Sequence, residues 1–540
     1  MKMKMKMKIK LFAITCSTIL LSSACLAKEP VLNFRKLNRQ AAKEYRNPIR
    51  PGYSERNPYW NVYAKKFIYA PAFDFKTVEG SFRYRFTATP IKDPSKAKIF
   101  FAKDPASPLS PIWDQIPVGK ITLVVEGVAR NGNVMGIAGK RDFYRDYPFE
   151  GPYRSPALGY RESALMGMIY VHKMPQIQHW KTSSEPDMSY SHNTYANKTI
   201  GATICLECLL AKEIPTYKEE AIQIAQNAAH FLIEQSFPAG HPLEFFPPTY
   251  YKDLIASKRS WNIGKTMTMD ALRPATGFLD LYDLTGERLY LDKALAIAHT
   301  YSKLQREDGS FPTKVDITTG SPVNDASAML HPIVKFLRRL ELQYGVTEHH
   351  EMLLKCEEWM RNVAIETFDL EAQFEDINIL NLNPYQNLTN CTAAPYASLL
   401  LTKQSPDDKE IADAIDLIRL SEDQFTHWNV APDTFGLRKE GTPNVHEQYR
   451  YETGVVSSVC NVANAFLDLY LHTGDKLAYA KAKSLIDGIS NMQYKTTGFI
   501  PTTYTYDPNR SPVSFWINCT YSAVNTLLRM SKLIEEGTME

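Results

Sequence analysis

A chain of 540 residues is too long for one small core, and its length alone suggests roughly two to four domains. With 44% hydrophobic and 22% charged residues it is ordinarily globular rather than disordered, and a net charge of +3 gives no ground for a nucleic acid or an anionic membrane as partner. Aromatic residues reach 11%, with 30 Tyr and 7 Trp, an excess that suits stacking on sugar rings, although any single one of these rings is as often structural.

Residues 1–27 begin with the basic MKMKMKMKIK and continue with the apolar LFAITCSTILLSSACLA, the pattern of a secretory signal. Cleavage after Ala27 leaves Cys25 at the −3 place. The alternative is lipidation at Cys25, where Ser22-Ser23-Ala24-Cys25 resembles a lipobox with its leucine, Leu21, one place early. The expectation is an exported protein, periplasmic or on the cell surface. No later segment has about 18 uninterrupted apolar residues, so no transmembrane helix is expected. Cys205 and Cys208 form a C-x-x-C inside ATICLECLLAKEI. With no second such pair and no histidine pair at ligand spacing, they read as core residues of a buried helix.

Residues 28–57 are polar, carry three prolines and read as a leader with little structure. From 58 to 150 the pattern is β-like: KKFIYAPAF, SFRYRFTA, AKIFFA, KITLVVEGV and NVMGIAGKRDFY, separated by turn signals such as Lys92-Asp93-Pro94 and Asn131-Gly132-Asn133. Short strands at this spacing predict a β-sandwich of immunoglobulin or fibronectin type, with Trp60 and Trp113 in its core. From 151 to 540 apolar residues recur every three or four positions, as in RESALMGMIYVHKM and EEAIQIAQNAAHFLIEQ, with no sustained strand pattern beyond about residue 160.

The helical part contains an internal repeat. Phe278 begins FLDLYDLTGERL and Phe466 begins FLDLYLHTGDKL. Each copy continues into a helix with Lys-Ala (Lys293-Ala294, Lys481-Ala482), a glutamine (Gln305, Gln493), a glycine turn (Gly309, Gly498) and Pro-Thr (Pro312-Thr313, Pro501-Thr502). A weaker third copy runs from Tyr217 to Pro248-Thr249. One amphipathic hairpin cannot bury its apolar stripe alone, whereas hairpins stacked side by side bury it continuously. About 375 residues follow Arg161, which at roughly 50 to 65 residues per hairpin is about five to seven units; six close an α/α toroid.

FLDLYxxTG(D/E)(R/K)L followed by helix, glutamine, glycine turn and Pro-Thr resembles the repeat units of the six-hairpin glycosidase superfamily, over roughly residues 160 to 535. That superfamily includes unsaturated glucuronyl hydrolases, several glycoside hydrolase families and sugar 2-epimerases, and related toroids carry polysaccharide lyases. The resemblance implies an (α/α)6 toroid and a carbohydrate-active enzyme, and says much less about which reaction.

A toroid of this kind places its site in the bowl formed by inner-helix ends and the loops that feed them. The segment Asn444–Gly454 precedes the second FLDLY helix and offers His446, Glu447, Tyr449, Arg450, Tyr451 and Glu452. A second cluster holds Glu375 and Asp376, followed by Asn383, Tyr385 and Asn387, amides and a tyrosine suited to sugar hydroxyls. Asp325 opens a third loop, where a plain N-cap is the alternative role. His192 is expected at the rim and Trp516 as a stacking platform for sugar, and Arg273 and Arg450, each four residues before a glycine, are expected to be repeat-equivalent. The leading expectation is a glycoside hydrolase with a carboxylate pair drawn from Asp325, Glu375, Asp376, Glu447 and Glu452. The alternative is a polysaccharide lyase or uronate epimerase using His446, a tyrosine and Arg450. A third is a glycan-binding protein without catalysis. None of these readings requires a cofactor or a metal.

Overall fold

The computed structural model describes residues 29–49, 60, 62–252, 260–370, 385–430, 441–504 and 515–537; the side chains of Ser260 and Glu452 are excepted. The expected export signal at 1–27, and Glu375, Asp376 and Asn383, lie outside the described residues.

The leader is not without structure. Asn33 accepts a hydrogen bond from the Lys36 N–H and caps α1 (Phe34–Glu44), whose Leu37 and Ala41 are buried. Five strands follow: β1 (Lys66–Phe67), β2 (Arg83–Pro90), β3 (Lys98–Ala102), β4 (Gly119–Val128) and β5 (Val134–Arg145), in one sheet of order β1-β5-β4-β2-β3, antiparallel except for β1 alongside β5. Alternation along β2 and β4 turns Tyr84, Phe86, Ile121, Leu123 and Val125 inward. These meet Phe67, Phe73, Trp113 and Phe143, not a second sheet. The expected two-sheet sandwich is therefore corrected to a single sheet covered by loops. KKFIYAPAF pairs over only two residues and then leaves the ladder, so the aromatic run that looked like a strand is a cover.

The helical part is a closed ring. Its outer helices are α2 (Tyr160–His172, followed by the short α3, Pro175–Gln178), α5 (Lys218–Gln235), α7 (Arg288–Leu304), α9 (His350–Trp359, extended by a π-helical turn at Met360–Ile365), α11 (Asp408–Phe425) and α13 (Lys476–Met492). The inner helices are α4 (Ala196–Glu213), α6 (Leu272–Thr285), α8 (His331–Tyr344), α10 (Asn390–Leu401), α12 (Val456–Thr473) and α14 (Ile517–Glu535). Each inner helix packs on the next, and α14 packs on α4, which closes the circle; each has one outer partner, with α2 paired to α14. Position in the ring sets the composition. Every residue of α10 is buried, as expected for a helix surrounded by neighbours, whereas α5 buries only one stripe.

The repeated sequence signals have matching physical causes. Gly286 and Gly474, both at φ 71°, end α6 and α12 in the left-handed conformation. The Gln305 amide donates to the carbonyls of Gly309 and Met352, and the Gln493 amide donates to those of Gly498 and Ser163. Each glutamine thus ties its own return loop to the next outer helix. A Cβ at Gly309 or Gly498 would strike the backbone carbonyl of Lys355 or Met166, so only glycine fits that approach. The helical part has only short strands among the described residues: β6 (Lys265–Met267) pairs with β7 (Lys314–Asp316), and β9 (Asn444–Gln448) lies between β8 (Thr426–His427) and β10 (Tyr451–Gly454).

Candidate active site

The first turns of the inner helices converge on a bowl of about 470 Å³. All six helices line it: Lys198 from α4, Arg273 and Thr276 from α6, His331 and Lys335 from α8, Cys391 from α10, Ser457 and Asn461 from α12, and Asn518 and Ser522 from α14. Helix N-termini carry partial positive charge, so the backbone adds to the Lys and Arg charges there. Two carboxyl groups also line the bowl. Asp270 lies in the short turn before α6, and Glu447 lies on β9, before α12. In the ring order α4, α6, α8, α10, α12, α14, the helices α6 and α12 are opposite each other, so the two carboxyl groups approach from opposite sides.

Their surroundings differ. Burial raises the Asp270 pKa from its ordinary value, partly offset by Lys198, a hydrogen bond from Thr249 and Arg273, and its Oδ2 has no hydrogen-bond partner among the described residues. Glu447 is half-buried; the Thr389 hydroxyl and the Asn390 amide hold its backbone carbonyl at 2.8 and 3.0 Å, and its Oε1 lies 4.0 Å from Cys391 Sγ. Burial, then Lys335 and Arg273, hold His331 well below the ordinary imidazole range, so it is neutral at pH 7, and its Nδ1 has no partner among the described residues. The Thr313 hydroxyl and the Asn518 Oδ1 are likewise buried with no partner among them. Polar atoms left this way on a bowl wall suit ligand hydroxyls.

Of the residues singled out from the sequence, the bowl takes Glu447. Strand alternation sends its neighbour His446 to the other side of β9, into a second cavity of about 210 Å³ shared with Tyr449, Arg450, Lys65, Lys66 and Gln424. There His446 Nδ1 lies 3.0 Å from His427 Nε2, and His427 Nδ1 lies 2.9 Å from Asp146 Oδ2, which Lys66 meets at 3.1 Å. The Tyr449 hydroxyl donates to Gln424 at 2.7 Å. This is a buried polar seam between sheet and ring, so His446, Tyr449 and Arg450 do not share a site with Glu447 as expected. Tyr451 is exposed on β10. Asp325 is exposed, neither lines the bowl nor caps α8, and offers its backbone carbonyl to Arg306. Asn387 is spent on Gln448 and the Arg450 N–H, and the Tyr385 hydroxyl bonds the Thr367 carbonyl. His192 and Trp516 stack on one another 3.9 Å apart, with Lys198 over the indole at 5.6 Å, so they border the bowl through Lys198.

Arg273 and Arg450 are not equivalent: Arg273 is inside α6, Arg450 in the β9–β10 turn. The residues missed from the sequence are Asp270, Lys198, His331, Lys335, Asn461 and Asn518. Their signal is a polar side chain in the first turns of an otherwise apolar helix, as in HPIVKF and VSSVCNVANAF. Among the described residues no group of three or more His, Cys, Asp or Glu could hold a metal ion, and no helix is long and apolar enough to cross a membrane.

No known sequence family matches this chain, and no curated protein does. Solved structures do resemble it. A family 76 glycoside hydrolase from a bovine Bacteroides thetaiotaomicron strain is 9% identical, with a TM-score of 0.47 over 86% of this chain and 95% of that one. The cellobiose 2-epimerase of Spirochaeta thermophila is 11% identical, with a TM-score of 0.48 over 69% and 98%. A polysaccharide lyase is 11% identical, with a TM-score of 0.41 over 86% and 64%. These are likenesses of overall shape; the six-hairpin ring rests on the helix packing described above.

Proposed function

We propose that this chain is a carbohydrate-active enzyme of the glycoside hydrolase type, with Asp270 as proton donor and Glu447 as the second carboxylate. The observation that carries this reading is that two carboxyl groups, Asp270 and Glu447, line one bowl together with hydroxyls, amides, cations and apolar side chains. Glycoside hydrolysis needs one carboxyl group that holds its proton at working pH and one that is ionised. Burial raises the Asp270 pKa, the direction the first role needs. We assign the second role to Glu447, which is half-buried and lines the bowl. Asn461, Asn518, Ser457 and Ser522 are placed to orient sugar hydroxyls.

His331 supports a second reading. A neutral imidazole with an unpartnered nitrogen can take the proton α to a uronate carboxylate, the step of a lyase or an epimerase. A panel of glycans, read by both reducing-end release and ultraviolet absorbance, separates the two. Hydrolysis gives new reducing ends and no absorbance; a lyase gives the absorbance of an unsaturated uronate; an epimerase gives neither. Full activity retained by Asp270→Asn or Glu447→Gln would sink the carboxylate-pair mechanism.

The leader composition supports export, so the enzyme would meet its glycan outside the cytoplasm. The mature N-terminus tests this: Lys28 follows from cleavage after Ala27, a lipidated Cys25 from anchoring.

A further inference from the structure

We propose that the bowl recognises a sugar bearing an anionic group, a carboxylate or a sulfate ester, held between Arg273 and Lys335. This rests on the bowl being the catalytic centre and adds the charge of its substrate.

The argument starts from charge balance. Neighbouring cations on the same helix have carboxylates: Arg339, one turn beyond Lys335 on α8, pairs with Asp280 and Asp283, and Arg338 pairs with Glu357. Arg273 and Lys335 are different. Neither makes an ion pair with a carboxylate among the described residues. The Arg273 guanidinium lies over the Tyr521 ring at 4.9 Å, and its stem crosses α4 at Gly201, where a Cβ would come within 2.9 Å of its Cγ. The stem is thus given a fixed channel, and the charge is delivered to the bowl. Lys335 projects into the same space, and the carboxylate that acts on it, Asp468, is already bound by Arg529.

The two cations also repel one another across His331, which feels both and is neutral. Asp270 senses Arg273 but makes no ion pair with it among the described residues. Two like charges held together beside a neutral imidazole and inner-helix N-termini are unfavourable until an anion joins them. A guanidinium suits bidentate contact with carboxylate or sulfate oxygens, and an ammonium adds a point charge.

The experiment uses the full-length Asp270→Asn protein, so that binding is measured without turnover. Three oligosaccharides of one linkage are titrated by calorimetry: neutral, hexuronate-containing and sulfated. The expected result is that one anionic form binds on the order of 10-fold or more tighter than the neutral form, with the advantage shrinking as salt is raised. Preference for the uronate identifies a carboxylate, preference for the sulfated sugar a sulfate. Adding Arg273→Met or Lys335→Met should remove the preference, so that anionic and neutral glycans bind alike, with the melting temperature read alongside to show that the fold is retained. Equal binding of all three glycans, or a preference that survives both substitutions, overturns the proposal. If the preference is found but wild-type protein turns over no glycan, the enzymatic reading fails and the anion site stands.

Discussion

Arg273 stands five residues before Phe278, and Asn461 stands five before Phe466; the two side chains line one bowl from opposite sides of the ring. The repeat therefore preserves a place on the inner helix while changing what stands there, a cation in one copy and an amide in the other. Duplication builds the ring, and departures from the duplicated sequence make the bowl chemically one-sided.

That one-sidedness sets a pH profile. The Asp270 carboxyl must be protonated to donate, and its pKa lies above the ordinary carboxylate value. Activity is therefore expected to fall as pH rises through the raised Asp270 value. Asp270→Asn should lose on the order of 10²- to 10⁴-fold in kcat, the usual worth of a general acid, and its profile should lose the alkaline limb. An alkaline limb unchanged in that variant would assign it to another group.

Glu422 should be among the least replaceable residues of the chain. Its carboxylate accepts from the hydroxyls of Tyr45 and Tyr69, the Trp428 indole N–H and the Lys481 ammonium at 2.6 to 3.0 Å, and so joins the end of α1, the sheet cover and α13. Glu422→Ala strands four buried donors, one of them charged, and is expected to cost about 3–5 kcal/mol in urea unfolding. Glu422→Gln, which retains two acceptor lone pairs, should cost less.

The paired glutamines offer a matched test of the ring. Gln493→Ala removes the amide that ties Gly498 to Ser163 of α2, and Gln305→Ala removes its counterpart between Gly309 and α9. Each should cost about 1–2 kcal/mol. The loss should be larger at Gln493, which is buried, than at half-buried Gln305. Thermal denaturation of the two single variants would show the order.

The seam between sheet and ring should respond to pH in two directions. Burial lifts the Asp423 pKa from 3.8 to about 7 despite its contacts with the Ile68 and Tyr69 N–H groups and Lys66. A carboxyl raised on folding binds more protons in the folded state than in the unfolded one between those values. Its contribution is thus present in acid and lost as pH rises from about 4 to about 7. Asp146 is shifted the other way by Lys66 and His427, against its own burial, so its contribution is present at neutral pH and lost in strong acid. Asp423→Asn should flatten the decline between pH 4 and 7 in chemical unfolding measured across that range; an unaltered slope would place it elsewhere.

The ring was legible because its period is carried by residues with local causes. Gly286 and Gly474 must turn left-handed, and Gln305 and Gln493 must reach a fixed carbonyl, so the chain repeats them. The bowl was less legible, because Lys198, Asp270, His331 and Lys335 are scattered over three inner helices and their approaches, and meet only when the circle closes. Glu447 and His446 show the limit from the other side. They are adjacent in sequence, and a two-residue strand period sends one to the bowl and the other to the seam. The sheet misled for a related reason: KKFIYAPAF has strand composition, but its Phe67 and Phe73 serve as the missing second layer.

The pairing of α2 with α14 joins the opening of the helical chain to its last helix. Contacts between segments that far apart in sequence are slow to form, because a long stretch of chain must be gathered before they return any stabilisation. A nascent chain short of Ile517 can stack hairpins but has nothing to seat against α2 and α4. The arrival of α14, rather than of any earlier hairpin, is what allows the circle to shut, and removing this helix should leave an open crescent with an unformed bowl.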